Sequence, residues 1–474
     1  MQSQDARIQV GRIRFRRAVA LMLMTLVLPG SAQLVAGRKQ VGRVAMRTWF
    51  LLVLCAVLVL LLAVTSRSFA FWFVTNQFWM GVIRTVLMAA AVGWAYLFVD
   101  AWRLGEPLTM QQRQRLAMVG INGLLCFSVA GSLLFASHLV NVNKDLWAAM
   151  FTSTKVNDSV DGRYNVLLLG GDSGADRWGL RPDSITVASI DADTGKTVLF
   201  GLPRNMLNFP FAKGSIMAQQ FPRGYNCGVE CELNSLATWA ADHKALFKGY
   251  KHPGVEATKE AVEGITGLKI QYYAMVNLRG FQDMVDAVGG VKLRVRDSIP
   301  IGGVGGPVTG HIKPGYRKLN GYQTLWFARS RESADDYARM ARQKCVMNAM
   351  LHQLSPQTVI TKFGAIASAS TKLISTDIPL SEADHFAQLA LKARSQPVRT
   401  VSFVPPLINT GHPDVGKIKD SVDSALHPSK KSGSKKASGG SSGRPTNQGT
   451  TGGAIGSLHT GYAANQAEDL GSAC

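Results

Sequence analysis

The stretch that decides the fold reads NVLLLGGDSG at residues 165–174 and RPDSITVASIDADTGKTVLFGLPRN at residues 181–205. Its first five residues, Asn165–Leu169, are a short apolar run of the kind that forms a strand buried within a sheet. Two more such runs, Ser184–Ile190 and Thr197–Leu202, flank the turn sequence DADTGK at 191–196 and predict a β-hairpin. The glycines that follow the first strand leave the backbone free to turn and to approach a ligand closely.

Beyond the hairpin, helical and strand periodicity alternate along the chain. Val255–Ile265 and Leu278–Ala287 are predicted helices, and Ile270–Val276 and Val291–Val295 are predicted strands. Three later helices and a last strand are predicted at Gly321–Ala328, Asp336–Leu354, Ser381–Lys392 and Val398–Phe403. Strands that alternate with helices predict an α/β domain, with a central mixed sheet between two helical layers, over residues 159–411.

Upstream of this domain, three apolar stretches approach the length of about 20 residues that a bilayer-spanning helix needs. They are Trp49–Val64, Phe78–Val99 and Leu116–Val140. The loop at 66–77 carries one basic residue and the loop at 101–115 carries three, so the positive-inside rule places the first outside and the second inside. The sequence therefore predicts a multi-pass plasma-membrane protein whose C-terminal domain is extracellular.

An earlier apolar run, Ala18–Ala36, is interrupted by Pro29-Gly30 and has arginines or lysines on both sides. Because a membrane span leaves one flank poor in positive charge, we interpret this run as an in-plane or re-entrant hairpin on the cytoplasmic side. A cleaved signal peptide is the alternative, since Gly30 and Ala32 are small residues at plausible cleavage positions. Cleavage would place the following basic residues outside, which the charge rule disfavours.

These patterns divide the chain into five parts. A cytoplasmic segment is predicted at 1–47, a membrane region at 48–140, a linker at 141–158, the α/β domain at 159–411 and a C-terminal extension at 412–474. From about residue 427 to residue 454 the extension is rich in Ser, Gly, Lys and Thr, a composition that cannot bury a core and predicts a flexible chain.

The net charge of +21 does not indicate a nucleic-acid-binding protein. Residues 1–150 hold 15 Lys and Arg against 4 Asp and Glu, so more than half of the excess lies beside the apolar spans, where membrane topology explains it. The sequence has no zinc-finger spacing, no RNP-like aromatic pattern and no clear helix-turn-helix, so no nucleic-acid partner is expected.

Four cysteines fall in the predicted external part: Cys227, Cys231, Cys345 and Cys474. In an oxidising compartment four cysteines allow three pairings. A Cys227–Cys231 bridge would close a short loop, and a Cys345–Cys474 bridge would attach the C-terminus to the domain. The alternative for the second pair is a free, buried Cys345 and an unattached Cys474.

Two aspartates bracket the loop after the first strand. Asp172 ends that strand and Asp183 begins the hairpin, so both could converge on one hard cation. Magnesium often binds through one or two carboxylates together with ligand phosphates. Ordinary turn aspartates are the alternative. The GDSG sequence also occurs around protease nucleophiles, but the α/β pattern disagrees with the double β-barrel of those enzymes.

Arginines gather in three parts of the domain. Arg181 and Arg204 lie at strand ends, and the segment ARSRESADDYARMARQ at 328–343 adds a dense set. Planar guanidinium groups bind phosphate oxygens in pairs, so such a cluster suits a polyanion such as pyrophosphate. A solvated helix face with Asp335 and Asp336 as ion-pair partners is the alternative. The arginines of the dense set and its glutamine are Arg329, Arg331, Arg339, Arg342 and Gln343.

Five segments together resemble the LytR-CpsA-Psr family of cell-envelope proteins. They are NVLLLGGDSG, RPDSITVASID, GLPRN, LNGYQTLWFARSR and DDYARMARQ, in that order over about 180 residues. The resemblance implies an α/β fold with a hydrophobic groove for a polyprenyl chain. It also implies a phosphotransferase that moves a glycan from a polyprenyl-pyrophosphate carrier to peptidoglycan, with the membrane, the lipid-linked glycan and peptidoglycan as partners.

The resemblance assigns roles to particular residues. Asp172 and Asp183 correspond to ligands of Mg²⁺, with Mn²⁺ as the alternative ion. Pyrophosphate contacts are implied for Arg181, Arg204, Arg329, Arg331, Arg339 and Gln343, and Arg342 lies in the same motif. Arg329, Arg331 and Asp172 are the expected catalytic residues, and apolar residues of the sheet and of helix Met340–Leu354 would line the groove.

Two features depart from the family pattern. Asn205 stands where the family often has an acid after Pro-Arg, and the membrane region is larger than the single span that is common in the family. Several spans, the CGVEC sequence at 227–231 and a terminal cysteine are similar to the actinobacterial branch. A non-catalytic sensor or binder of lipid-linked precursors would use the same arginines, but only the enzyme requires both aspartates to hold a metal.

Overall fold

The computed structural model describes residues 2–66, 76–150, 155–172, 181–303, 306–331, 335–353 and 374–427, together with positions 69, 72, 73, 465 and 470. The chain divides into two compact units, residues 1–148 and 149–474. The segment predicted to be flexible lies outside the described residues beyond residue 427.

The first unit is helical. Its helices are α1 (Gln2–Val27), α2 (Ser31–Val35), α3 (Lys39–Thr65), α4 (Gln77–Leu104) and α5 (Gln112–Met150). Within the described residues, three helical segments are long and apolar enough to cross a membrane: Lys39–Thr65, Gln77–Thr109 and Gln112–Asn141. They contain the three stretches that the sequence predicted.

The apolar run Ala18–Ala36 is not a continuous helix. Gly30, at φ +93°, lies in the turn between α1 and α2. A Cβ atom at Gly30 would lie 2.6 Å from the carbonyl oxygen of Gly42, so the turn packs directly against the first turns of α3. The run therefore has the shape of a helical hairpin, while its placement relative to a membrane remains a prediction.

The second unit is built on a mixed sheet with the strand order β10-β3-β2-β1-β4-β9. The pairs β1–β4 and β3–β10 are parallel, and the other neighbours are antiparallel. The strands of the unit are β1 (Arg163–Asp172), β2 (Arg181–Asp191), β3 (Thr197–Leu202), β4 (Tyr272–Asn277), β5 (Val291–Val295), β6 (Ile299–Gly302), β7 (Val308–Ile312), β8 (Gly315–Leu319), β9 (Ile374–Thr376) and β10 (Arg399–Ser402). Strands β5–β8 form two separate two-stranded ribbons.

Helices cover both faces of the sheet. They are α6 (Ile216–Gln220), α7 (Leu236–Asp242), α8 (Pro253–Thr266), α9 (Leu278–Ala287), α10 (Gly321–Arg329), α11 (Asp336–Gln353), α12 (Ala383–Arg394) and α13 (Val415–Leu426). Because side chains alternate along a strand, Phe200 enters the core formed with α7, α8 and α13, while Leu199 faces the side that Met347 of α11 covers. The predicted α/β class with a central mixed sheet between helical layers is confirmed.

The folded domain extends past residue 411. Helix α13 lies in the predicted C-terminal extension, yet its residues Ile418 and Val422 are buried in the larger core. A second core joins the ribbons β5–β8 to α9, α10 and α11. The loop between β1 and β2, at 173–180, lies outside the described residues.

Candidate functional site

The site begins at adjoining ends of β1 and β2. The antiparallel register pairs Gly170 with Ser184 and Gly171 with Pro182, so Asp183 is the extra residue of a β-bulge. A bulge re-aims the side chain of its extra residue, and proline is tolerated there because the ladder hydrogen bond is already interrupted.

The backbones of Asp172 and Arg181 lie opposite each other at the end of the same ladder. The two predicted metal ligands, Asp172 and Asp183, therefore lie on neighbouring strands, at the same end of the ladder. The side chain of Asp172 lies outside what the structure describes, whereas Arg181 is exposed.

Two arginines from distant parts of the sequence meet at Asp183. Arg204, just after β3, donates from Nη1 to Oδ1 of Asp183 at 3.0 Å. Arg339, on the second turn of α11, donates from Nη1 to the same oxygen at 3.3 Å. The structure therefore brings three of the predicted residues together across β2, β3 and α11.

Asp336, the first residue of α11, joins the same arginines from the other side. Its Oδ2 accepts a hydrogen bond from Nε of Arg204 at 2.8 Å. Its Oδ1 lies 3.7 Å from Nη1 of Arg331 and 3.7 Å from Nη2 of Arg339. The sequence suggested Asp336 only as an ion-pair partner on a solvated helix face. The structure instead makes it the shared partner of three arginines.

Three more of the predicted residues, on α10 and α11, make other contacts. Arg342 donates from Nη2 to the carbonyl oxygen of Ser330, and Gln343 donates from Nε2 to that of Ala328 at 3.4 Å. These bonds hold α11 against the last turn of α10 and the residue that follows it. Arg329 has its guanidinium carbon 5.9 Å from the centre of the Trp326 ring, within the range of a cation–π contact.

Burial sets the electrostatics of the cluster. The side chains of Arg339 and Arg342 are only 1% exposed. Desolvation is the largest effect on both. Together with the charge of Arg339 it lowers the pKa of Arg342 to about 10, and it lowers the pKa of Arg339 against the attraction of Asp336. Two guanidinium groups held in a poorly solvated place are a strong attraction for an anion.

The two aspartates at the start of α11 have opposite shifts. Burial by itself raises the pKa of Asp336, but Arg339, Arg204 and Arg331 outweigh it and bring the pKa below its ordinary value. Burial raises the pKa of Asp335, and the neighbouring carboxylate of Asp336 raises it further, against the hydrogen bond from the Ala338 amide. Asp336 is therefore the electrostatic partner of the arginines, and Asp335 is the helix cap.

Some buried polar atoms in and next to the arginine cluster lack a hydrogen-bond partner among the described residues. Within the part of the chain that the structure describes, the Nε atoms of Arg339 and Arg342 are buried without a hydrogen-bond partner. Oδ1 of Asn205, which stands where the resemblance predicts an acid, is buried and unpaired in the same described part. A buried polar atom without a partner costs free energy. A bound anion with several oxygens would satisfy the two Nε donors, whereas the Asn205 oxygen is an acceptor and requires a donor.

A small cavity adjoins the cluster between the sheet and α11. It extends from Asp183 and Gln343 to Leu199 and Met347, and its volume is about 20 Å³. Leu199 of the sheet and Met347 of α11 give it apolar walls, and the lipid groove expected there stays a prediction. The cavity as it stands has room for about one water molecule and not for a prenyl chain.

A buried lysine, which the sequence did not single out, also lines this cavity. Nζ of Lys344 donates to Oγ1 of Thr400 at 2.9 Å. Desolvation lowers the pKa of Lys344 to about 7. Its position next to Gln343 in the dense segment was visible in the sequence, but its burial was not.

The external cysteines are accounted for in part. Cys227 and Cys231 form a disulfide with their Cα atoms 5.3 Å apart. Cys345 is also disulfide-bonded, and its predicted partner, Cys474, lies outside the described residues. The bridge at Cys227–Cys231 closes the loop before α7 and is separate from the arginine cluster in sequence.

The described carboxylates supply part of what a bound Mg²⁺ ion would need. No cluster of three or more His, Cys, Asp or Glu side chains occurs among the described residues. Magnesium does not require such a cluster, because it retains waters and takes phosphate oxygens as ligands beside one or two carboxylates. Asp183 is a carboxylate of that kind, and both of its described contacts are made by Oδ1.

Comparisons with known proteins identify the family. The LytR_cpsA_psr family matches residues 134–409. Biofilm regulatory protein A of Streptococcus mutans is 27% identical over 46% of this chain and 50% of its own length. The polyisoprenyl-teichoic acid–peptidoglycan teichoic acid transferase TagU of Oceanobacillus iheyensis is 28% identical over 46% of this chain and 60% of its own.

The crystal structure of TagV from B. subtilis aligns with 56% of this chain and 97% of that chain, with 22% identity and a TM-score of 0.41. The chain spans about half to three fifths of the length of the two curated relatives. The family match covers more than half of the chain and includes the strand ends, the bulge and the arginine helix described above. The chain belongs to the LytR-CpsA-Psr family.

Proposed function

We propose that this protein transfers a glycan polymer from a polyprenyl-pyrophosphate carrier to peptidoglycan. The observation that carries the proposal is the cluster in which Arg204, Arg331 and Arg339 share Asp183 and Asp336. Arginines outnumber carboxylates in it, and Arg342 adds a further buried positive charge. A pyrophosphate, with several anionic oxygens, would balance that excess.

The relatives support the same proposal. TagU carries the name of a transferase that joins teichoic acid to peptidoglycan, and its similarity to this chain lies over 221 residues. The name of the Streptococcus mutans relative points to regulation and names no reaction. The chemistry of the site therefore has to decide between transfer and binding alone.

The proposed reaction is a displacement at phosphorus. A hydroxyl group of peptidoglycan attacks the phosphorus nearer to the glycan, the bond to the bridging oxygen breaks, and polyprenyl phosphate leaves with that oxygen. The product is a phosphodiester between glycan and peptidoglycan, and the hydroxyl proton is released. Such a transfer depends mainly on positioning and on stabilisation of the charge that develops on the phosphoryl oxygens.

The residues of the cluster divide this work. Arg204 and Arg339 are fixed by carboxylates on both sides, so they are pre-organised to bind phosphate oxygens without rearrangement. Arg331 is about one-third exposed and is the most accessible of the three to an incoming phosphate. Asp183 and Asp172 are the residues that would hold Mg²⁺, which would neutralise phosphate charge when bound.

The helical unit supports a proposal for where the α/β domain lies. The three apolar helices suggest membrane insertion. We propose a multi-pass plasma-membrane protein with residues 149–474 outside the cell, where peptidoglycan and the lipid-linked glycan meet.

The test uses the full chain in detergent micelles with a short-chain lipid-pyrophosphate glycan, magnesium and a peptidoglycan oligomer. Release of polyprenyl phosphate is followed by mass spectrometry. Arg331→Gln and Asp183→Asn are expected to reduce the rate by about 100-fold or more, because each removes a group placed at the reacting phosphate. Arg279→Gln on the exposed face of α9 is the control and is expected to leave the rate unchanged.

The outcomes separate the two functions. Release that requires both Arg331 and Asp183 supports the transferase, and omission of magnesium should abolish it. Tight binding of the lipid without release, across several glycans and acceptors, would establish a non-catalytic binder of lipid-linked precursors instead.

A further inference from the structure

The ribbon of β5 and β8 carries a concentration of positive charge. Residues 291–318 contain six Lys and Arg residues and one Asp. Along β5, Val291, Leu293 and Val295 are buried in the second core, and the two residues between them are exposed. The ribbon therefore packs one face against the core and presents the other to solvent. The basic residues of the segment are Lys292, Arg294, Arg296, Lys313, Arg317 and Lys318.

The exposed face of the ribbon brings like charges together. Lys292 lies directly opposite Lys318 in the antiparallel register, and Arg294 lies directly opposite Tyr316. Side chains in such pairs have Cβ atoms about 4.5–5.5 Å apart, and like charges placed directly opposite each other destabilise a sheet. The guanidinium carbon of Arg294 lies 5.7 Å from the centre of the Tyr316 ring, which belongs to a residue that is 83% exposed. The face therefore presents three cations and an aromatic ring to solvent.

Acidic side chains do not balance this charge. Among the residues that the structure describes, Lys292, Arg294 and Lys318 form no ion pair with a carboxylate. Desolvation lowers the pKa of the neighbouring Arg296, and the charge of Arg294 lowers it further, against the attraction of Asp297. The ribbon thus keeps like charges side by side at a cost in stability. An anion bound on its exposed face would remove that repulsion.

The ribbon is attached to both helices that carry the arginine cluster, at their remote ends. Strand β8 ends at Leu319, and α10, which is about 13 Å long at about 1.5 Å per residue, separates it from Arg331. Oε1 of Gln353, the last residue of α11, accepts from the backbone amide of Lys292 at 2.8 Å. By the same rise, Asp336 at the start of α11 is about 26 Å from that contact. A side chain of the ribbon face is therefore too far away to contact a phosphate on the cluster, whereas one extended molecule can contact both places.

We propose that the exposed face of β5 and β8, with Lys292, Arg294 and Lys318, is a second binding surface that holds an anionic stretch of the glycan polymer. The inference rests on the proposed function, since it takes the polymer of the lipid-linked substrate as the occupant. It makes that polymer one that carries phosphate or carboxylate groups along its length. The polymer is favoured over an anionic phospholipid surface because the ribbon and the cluster lie at opposite ends of the same two helices.

The first experiment measures binding of a fluorescent poly(glycerol phosphate) oligomer to the full chain in detergent micelles. A neutral dextran oligomer of the same length is the uncharged probe. The test variant replaces the three cations of the ribbon face with glutamine: Lys292→Gln, Arg294→Gln and Lys318→Gln. The control variant makes the same replacement at three exposed lysines elsewhere in the α/β domain: Lys244→Gln, Lys248→Gln and Lys417→Gln.

The native chain should bind the phosphate polymer, and the test variant should bind it about tenfold more weakly, because each exposed charge pair contributes modestly and three are lost. The control variant should bind as the native chain does. Salt should weaken the native interaction, because exposed charges are screened beyond about 10 Å at about 0.1 M. Equal losses in the two variants, equal binding of the neutral dextran, or no binding by the native chain would each overturn the surface.

Kinetics separate this surface from the proposed function. With a donor that carries a phosphate-bearing polymer, the test variant should raise KM about tenfold and leave kcat unchanged, because the lost contacts are made equally before and during the reaction. With a donor that carries a single sugar, both constants should equal those of the native chain. An unchanged KM for the polymer donor would overturn the surface and leave the transferase standing. Polymer binding that requires the ribbon, without transfer by any chain, would overturn the transferase and leave the surface standing.

A second measurement uses the native chain in nanodiscs and requires no variant. The rate at which a reagent acetylates Lys292 and Lys318 is followed by mass spectrometry, since both lysines are exposed. In phosphatidylcholine nanodiscs, the phosphate polymer should slow acetylation of both lysines and the neutral dextran should not. Protection by phosphatidylglycerol alone, which added polymer does not increase, would overturn the proposal and identify an anionic lipid surface as the occupant.

Discussion

The two aspartates at the start of α11 provide a matched pair of substitutions, Asp336→Asn and Asp335→Asn. Each replaces a carboxylate with an amide of nearly the same shape. Asp336 is 15% exposed and contacts three arginines, with its shortest contact at 2.8 Å to Arg204. Asp335 instead accepts a hydrogen bond from the Ala338 amide at 2.7 Å and caps the helix.

The magnitudes follow from those contacts. A hydrogen bond to a charged partner contributes about 1.5–3 kcal/mol, and removal of one partner of a buried ion pair costs about 3–5 kcal/mol. Because Asp183 still balances Arg204 and Arg339, we expect Asp336→Asn to lower the free energy of unfolding by about 3 kcal/mol. Asparagine caps helices as well as aspartate does, so Asp335→Asn should change it by less than about 0.5 kcal/mol.

The pH dependence has a definite sign. The pKa of Asp336 is below its ordinary value near 3.8, so its stabilisation is complete above that pH and is lost as the pH falls through the lowered pKa. The difference between the native chain and Asp336→Asn should therefore shrink in acid. The pKa of Asp335 is raised, so its ionised form is disfavoured at neutral pH and acidification stabilises the native chain relative to Asp335→Asn.

The assay is calorimetry of the full chain in detergent micelles, following the transition of residues 149–474. At about 2–4 °C per kcal/mol, Asp336→Asn should lower the Tm by about 6–12 °C at neutral pH, and Asp335→Asn by less than about 2 °C. Equal decreases for the two variants would refute the assignment of Asp336 as the shared partner of the arginines. A difference that persists unchanged in acid would refute its electrostatic origin.

Three further predictions concern stability. Gly42→Ala places a Cβ 2.7 Å from the carbonyl oxygen of Gly30 and should lower the Tm of the helical unit by the equivalent of about 1–3 kcal/mol. Gly123→Ala is the control and should be neutral, because its Cβ would meet nothing within 4 Å. Equal decreases in Tm for the two variants would contradict the close packing at Gly42. Gly264→Ala puts a Cβ 2.5 Å from the carbonyl oxygen of Pro210, so it should destabilise the α/β domain in calorimetry although alanine favours helices; a stabilised variant would show that the backbone yields. Burial lowers the pKa of Lys344 to about 7, so above that pH the folded chain releases a proton that the unfolded chain keeps. The Tm of the native chain should therefore rise from pH 7 to pH 9, and Lys344→Met should flatten that rise. A native Tm that does not change over this range would contradict the buried position of Lys344.

Local sequence patterns predicted much of the architecture, and the reasons are local. Strand β3 and helix α9 were predicted with the bounds that the structure gives, because turn residues and apolar periodicity define them without help from the rest of the chain. The three membrane helices follow from apolar length alone. Patterns missed α13, which lies in a segment assigned to the extension, and the β6–β7 ribbon, whose strands are short and separated by glycines.

The candidate site was predicted as a set of residues, and the structure supplied their relations. The segment at 328–343 identified Arg331, Arg339 and Arg342 as a group, and sequence alone could not separate a phosphate site from a solvated helix face. The burial of Arg339 and Arg342 excludes a solvated helix face, which would leave both side chains in water, and the phosphate site stays a proposal. The role of Asp336 depended on Arg204, which lies 132 residues earlier in the chain.

The sequence by itself determined the layered α/β class, the apolar helices and the family, because these depend on side-chain period, length and the order of short motifs. Only the tertiary structure decided which charges meet and how deeply Lys344 is buried. Those relations depend on contacts between residues far apart in the chain, and they come from the sheet, which places the start of β2 and the end of β3 beside one face of α11.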